Sequence, residues 1–288
     1  METPQPALAT SSTASSGSFA TGPAAGAREP LRVLALMRAW GTLTMLSFRQ
    51  LLWSTNTLMV MFLLAGCTLF LLRRRYDQIE YLPRAINDFS HEFVILIFAA
   101  FIVPICALAY ATTSIGGDRE NRTLLFLLVR PIPRALVFLA KLTATLPLVL
   151  GLVLGSFYFY CRLAGPAGEL AFELYLPAIF YMTVAYISLF HLFAVTFRHS
   201  TIAALTYALF MEFFLGNMPG IIKRLAVNFY GRSIMFNLGL EEGVDLPDPQ
   251  WFEPVSVTTG ANALLWIAAG SLLLALAIFQ WREYHDLT

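Results

Sequence analysis

Apolar residues in this chain come in long blocks separated by short polar interruptions. Crossing a hydrocarbon layer of roughly 30 Å takes about 20 apolar residues in a helix. Six blocks reach that length, at 54–72, 92–115, 135–160, 172–197, 200–218 and 261–281. Pro104, Pro147 and Pro177 fall inside the second, third and fourth. Spanning helices tolerate proline, and Pro104 and Pro147 predict kinks. Ahead of the first block, 31–53 reads as a helix with Val33, Leu36, Trp40, Leu43 and Leu51 on one side and Arg38, Thr42 and Arg49 on the other. Two-sidedness of that kind suits a helix lying in the membrane interface; the alternative is a packed helix of a soluble cap. The pattern predicts an all-α polytopic membrane protein with six transmembrane helices and an N-terminal amphipathic interfacial helix.

The rest divides simply. Residues 1–30 are mostly Ala, Ser, Thr, Gly and Pro and predict a disordered tail, because too little apolar surface is available to offset ordering. Residues 31–288 form one membrane domain. Between the last two blocks, 219–260 is long and reads as an extracytoplasmic segment. Its first part, Ile221 to Phe236, predicts a short helix pair at the interface, and Glu241 to Pro254 an acidic, Pro-rich exposed loop. Gly151 and Gly155 form a GxxxG, a spacing that lets a second helix approach closely.

Composition excludes several classes. Hydrophobic residues make up 58% and charged residues 13%, against roughly 25% charged in a soluble domain. A net charge of +1 leaves no source for phosphate neutralisation, so no nucleic-acid partner is expected. Cys67, Cys106 and Cys161 are odd in number and none sits at ligand spacing, which supports neither a disulfide framework nor a zinc site. With the N-terminus inside, the larger share of the 19 Lys and Arg falls in cytoplasmic segments. Arg73, Arg74 and Arg75 oppose that orientation. Both termini are expected to be cytoplasmic, in a multi-pass protein of the inner or plasma membrane.

The segment between the second and third blocks carries most of the chemistry. It runs Gly116-Gly117-Asp118-Arg119-Glu120-Asn121-Arg122-Thr123-Leu124-Leu125-Phe126-Leu127-Leu128-Val129-Arg130-Pro131-Ile132-Pro133-Arg134. The glycines predict release from the second span, and Asp118 a cap for a new helix over 117–130. Asp118 and Glu120 suit the positive end of its dipole and Arg130 the negative end. Pro131 and Pro133 stop it. Its 14 residues give a helix roughly 21 Å long at about 1.5 Å per residue, too short to span. It is either a helix shaped to be gripped by a partner or an ordinary interfacial loop helix.

This run resembles the signature of ATP-binding-cassette type-2 exporter permeases: a charged turn, Thr123-Leu124, a leucine-rich turn, Pro131, Arg134 and Lys141. Arg122 stands where the family usually has Gly before Thr, and Asp118 where it usually has Glu. The resemblance implies the transmembrane permease subunit of an ATP-driven exporter, working as a pair with a second permease in the lipid bilayer, each bound to a cytoplasmic ATPase subunit. It implies that 117–130 is the cytoplasmic coupling helix, with Leu124, Leu125 and Leu128 supplying apolar contact to the ATPase and Asp118, Arg119, Glu120 and Arg122 a polar rim. Thr123, Pro131, Arg134 and Lys141 complete the coupling set. No cofactor is expected in this chain; ATP and Mg would be held by the partner ATPase, since no G-x-x-x-x-G-K-[ST] loop is present.

No enzyme is expected. His91-Glu92 begins an H-E-x-x-H, but residue 95 is Ile, and no G-x-S-x-G elbow places a nucleophile. Two ionisable residues inside the spans, His191 and Glu212, are candidates for the substrate path or a dimer contact, because charges there are expensive. Against that stand a neutral imidazole bonded to a backbone carbonyl, and an acid satisfied by a neighbouring helix or the interface. Two other functions remain open: a force-transmitting or maturation-system permease without conventional cargo, and a secondary transporter. The latter calls for paired intramembrane charges or broken helices in matching halves.

Overall fold

The computed structural model describes residues 29–74, 76, 81–120, 133–210, 222–245 and 252–281. Every described element is a helix. We label them α1 (Glu29–Leu52), α2 (Thr55–Arg74), α3 (Leu82–Asp88, a wider π-helical stretch Phe89–Ile102, then Val103–Glu120), α4 (Arg134–Leu163), α5 (Pro166–Thr196), α6 (Ser200–Phe210), α7 (Val227–Gly239) and α8 (Val257–Trp281). Single turns of 3-10 helix, Ile222–Leu225 and Leu240–Glu242, flank α7. The chain divides into two units, Met1–Arg38 and Ala39–Thr288. The first is described only as the opening turns of α1, and all packing below belongs to the second.

Among the described residues, five helices are long and apolar enough to cross a membrane: α2, α3, α4, α5 and α8. The expected spans at 54–72, 92–115, 135–160, 172–197 and 261–281 fall on these five. The fifth expected span, 200–218, is described as the apolar helix α6 only as far as Phe210.

Helix α5 is the hub, packing against α3, α4, α6, α7 and α8. Ala167, Ala171, Ala178, Ala185 and Ala194 are buried along it, letting neighbouring backbones come close, while Tyr175, Tyr186 and Phe190 fill the space between. Helix α7 is not a surface ornament. Val227, Phe229, Ile234, Met235 and Phe236 are buried, and a Cβ at Gly231 would lie 1.9 Å from the Met182 sulfur of α5. Any larger residue there would require the buried Met182 side chain to move. No group among the described residues lies within 4 Å of a Cβ at Gly151 or Gly155, so packing among those residues does not use the GxxxG.

Polar contacts fix how the helices alternate. At the start of α2, Asn56 donates to the Ala109 carbonyl at 2.8 Å; at its end, Arg74 pairs with Glu92. Helices α2 and α3 are therefore antiparallel. The far end of α3 meets the start of α4 through Asp118 and Lys141, the end of α5 through Ser114 and His191, and the start of α6 through Thr112 and Thr201. The end of α8 returns to the start of α4, with the Phe138 and Phe279 rings 5.8 Å apart. The bundle thus has an Asp118 end and a Glu92 end.

The segment around α7 sits at the Glu92 end. Asn87 and Asp245 exchange two hydrogen bonds, of 2.9 and 3.0 Å, and His91 Nε2 lies 2.9 Å from the Asp245 carbonyl. The residues that began the broken zinc motif are thus structural: His91 anchors this segment, and Glu92 accepts from Arg74 and from the Tyr76 hydroxyl at 2.7 Å. Burial, and then the Glu92 carboxylate, hold the Tyr76 phenol well above its ordinary pKa. Phe252 closes the segment against Phe229 and Phe236, with the Arg232 guanidinium 4.8 Å from its ring.

Candidate functional site at the Asp118 end

The charged motif is rooted in α3, and its root differs from the expected one. Gly116, Gly117 and Asp118 do not release the chain or cap a new helix; Val103–Glu120 runs through all three. Two glycines cost about 2 kcal/mol of helix propensity, and tertiary contacts offset that cost. A Cβ at Gly116 would lie 2.2 Å from Ser200 Oγ at the start of α6, whereas one at Gly117 would meet nothing nearer than 3.7 Å. Gly116 is there for close approach between helices.

Asp118 is buried and forms a 2.5 Å ion pair with Lys141 of α4, also buried. Gln50 Nε2 of α1 lies 3.4 Å from the second carboxylate oxygen. These groups border a cavity of about 390 Å³ lined also by Leu43, Leu46, Ser47, Val137 and Ala140. Removing two charges from water costs several kcal/mol per ion, recovered only when the partner sits at hydrogen-bond distance. At 2.5 Å it does. Two residues of the family-like signature, far apart in sequence, thus close one contact.

One turn back along α3, Ser114 Oγ lies 3.2 Å from His191 Nε2. His191 is fully buried, and its Nδ1 sits 2.8 Å from the Ile187 carbonyl. With Nδ1–H donating to that carbonyl, Nε2 is left to share the single Ser114 hydroxyl proton with the Ala111 carbonyl, 2.9 Å from Ser114 Oγ. The edge of the ring meets Phe138 of α4. Arg134, at the start of α4, is exposed and its guanidinium reaches the Gln280 carbonyl of α8 at 3.5 Å.

Of the sequence-derived set, the structure brings together Asp118 and Lys141, places His191 one helical turn away and Arg134 at the mouth of the same end. The backbone of Arg119 and Glu120 continues α3. Arg122, Thr123, Leu124, Leu125, Leu128 and Pro131 lie outside the described residues, as does Glu212. Sequence reasoning passed over Gln50, Ser114, Thr112 and Ser200. Lys141 is a single base inside an apolar block, which calls for a partner, but nothing in the sequence names Asp118 as that partner.

Among the described residues, no group of three or more His, Cys, Asp or Glu is placed to hold a metal ion. The last turns of α3 are held on α1, α4, α5 and α6 at once. The profile of the family described as "ABC-2 family transporter protein" matches residues 58–280, well over half of the chain. No curated protein matches the chain.

Proposed function

The chain belongs to the ABC-2 family of transporter proteins, and from that premise we propose that it is the permease subunit of an ATP-driven exporter, moved by a separate cytoplasmic ATPase. The observation that carries the reading is the buried Asp118–Lys141 pair, which ties the root of the charged segment to the next spanning helix. A surface loop helix needs no such root. A segment that receives a push from a partner does, because force applied at its tip must reach the spans rather than dissipate in a hinge.

The roles follow. Leu124, Leu125 and Leu128 dock apolar surface on the ATPase, and Arg119, Glu120, Arg122 and Thr123 form the polar rim. Asp118 and Lys141 hold the root, and Pro131 and Arg134 lead stiffly into α4. The ATPase binds ATP and Mg, and the permease works as a dimer. Six crossings are proposed, on a parity argument. Helix α5 ends at the Asp118 end, α8 begins at the Glu92 end, and the chain between must pass from one to the other. An even number of crossings puts the start of α2 and the end of α8 on the same side, which we assign to the cytoplasm.

The test is a mild-detergent pull-down of the tagged chain, with co-purifying proteins identified by mass spectrometry. The proposal expects a stoichiometric nucleotide-binding subunit that disappears with Leu124→Asp while membrane insertion persists. A permease that purifies alone from the same membranes would overturn it.

A further inference from the structure

The fold carries a second connection out of the charged segment, and it does not run through α4. Helix α6 begins directly against the last turns of α3. Ser200, fully buried, donates to the Thr112 carbonyl at 3.5 Å. Thr112 Oγ1 donates to the Leu108 carbonyl at 2.7 Å, so its contact with Thr201 Oγ1 at 3.3 Å is one in which Thr201 donates. Gly116 completes the contact: a Cβ there would stand 2.2 Å from Ser200 Oγ and 3.4 Å from Ser200 Cβ. Turning the hydroxyl away would relieve the clash by giving up its bond to the Thr112 carbonyl.

We propose that Gly116, with Thr112, Ser200 and Thr201, is the positioning contact through which displacement of the charged segment is passed directly to α6. The proposal rests on the functional reading above. Its physical basis is that α3 continues without a break from Thr112 through Gly116 to Glu120, where the charged segment begins, so both ends of the contact are rigid helix. Helix α6 touches α3 and α5, and Ile202, Leu205 and Leu209 are exposed among the described residues.

The experiment uses the permease purified with its nucleotide-binding subunit in lipid nanodiscs, spin-labelled at Ile202→Cys on α6 and Trp266→Cys on α8. Both positions are exposed, whereas Cys67, Cys106 and Cys161 are buried. The distance between the labels is read with and without ATP plus vanadate. The expected result is a nucleotide-driven shift that is lost in Gly116→Ala while the subunit stays bound. Adding Ser200→Gly, which clears the space the new methyl needs, restores it. Gly270→Ala in α8, where nothing lies within 4 Å, leaves it unchanged. A full shift in Gly116→Ala, or no shift in the unmutated complex with its subunit bound, overturns the proposal. Absence of any nucleotide-binding subunit from the unmutated preparation overturns the functional reading and this inference with it.

Discussion

Replacing Lys141 by Met keeps the length and most of the volume of the side chain and removes only its charge. The Asp118 carboxylate then stays buried at the Asp118 end without its ammonium. Two unit charges about 4 Å apart attract by about 4 kcal/mol at an effective dielectric of 20, and breaking one side of a buried pair costs about 3–5 kcal/mol in practice. Gln50, at 3.4 Å, is too distant to replace an ion pair at 2.5 Å. The expected loss is therefore about 3–5 kcal/mol, two to four powers of ten in the unfolding equilibrium. Asp118→Leu combined with Lys141→Met removes both charges, and should recover most of that loss, because buried pairs exchanged for apolar groups are often neutral. The three cysteines are free and buried, so a fluorogenic thiol dye reports unfolding in detergent without added labels. A Lys141→Met protein that melts like the unmutated one, or a double variant as unstable as the worse single, would refute the claim that this pair holds the root of the segment.

Other outcomes separate the two ends of the bundle. Glu92→Gln should cost under about 1 kcal/mol in the same assay, because the Arg74–Glu92 pair is half-exposed and solvent screens it. Leu128→Asp should abolish ATPase association, checked by co-purification, with no change in membrane insertion. Glu242→Cys, at an exposed site near α7, should react in intact cells with an impermeant thiol reagent; reaction only after permeabilisation would reverse the assigned orientation. Gly270→Ala, in open space, should leave the melting point unchanged or raise stability by about 0.5–1 kcal/mol.

Much of the fold was legible because lipid solvation imposes a length on apolar blocks. The expected 135–160 and 261–281 correspond to Arg134–Leu163 and Val257–Trp281, whereas the segment read as an interfacial helix pair holds a 3-10 turn, Ile222–Leu225, and the buried helix α7. Departures occur where tertiary contacts outweigh local preference. Helix α3 starts at Leu82 rather than 92, since Asn87 and His91 are polar in sequence yet satisfied by Asp245. Gly116 and Gly117 read as a helix break, but the neighbour that makes glycine necessary, Ser200, lies far along the chain. Lys141 entered through family likeness alone. Its partner depends on which faces of α3 and α4 meet, and no periodicity within either helix encodes that. His191 was legible as a choice between two environments, and its hydrogen bonds to Ile187 and Ser114 describe a satisfied buried ring.

If this permease works only in company, native mass spectrometry of the complex extracted into lipid nanodiscs should show two copies of the 32.0 kDa chain together with two nucleotide-binding subunits, reduced to permease alone by Leu124→Asp. A single 32.0 kDa chain, or a permease dimer without ATPase from membranes that contain it, would rule that assembly out.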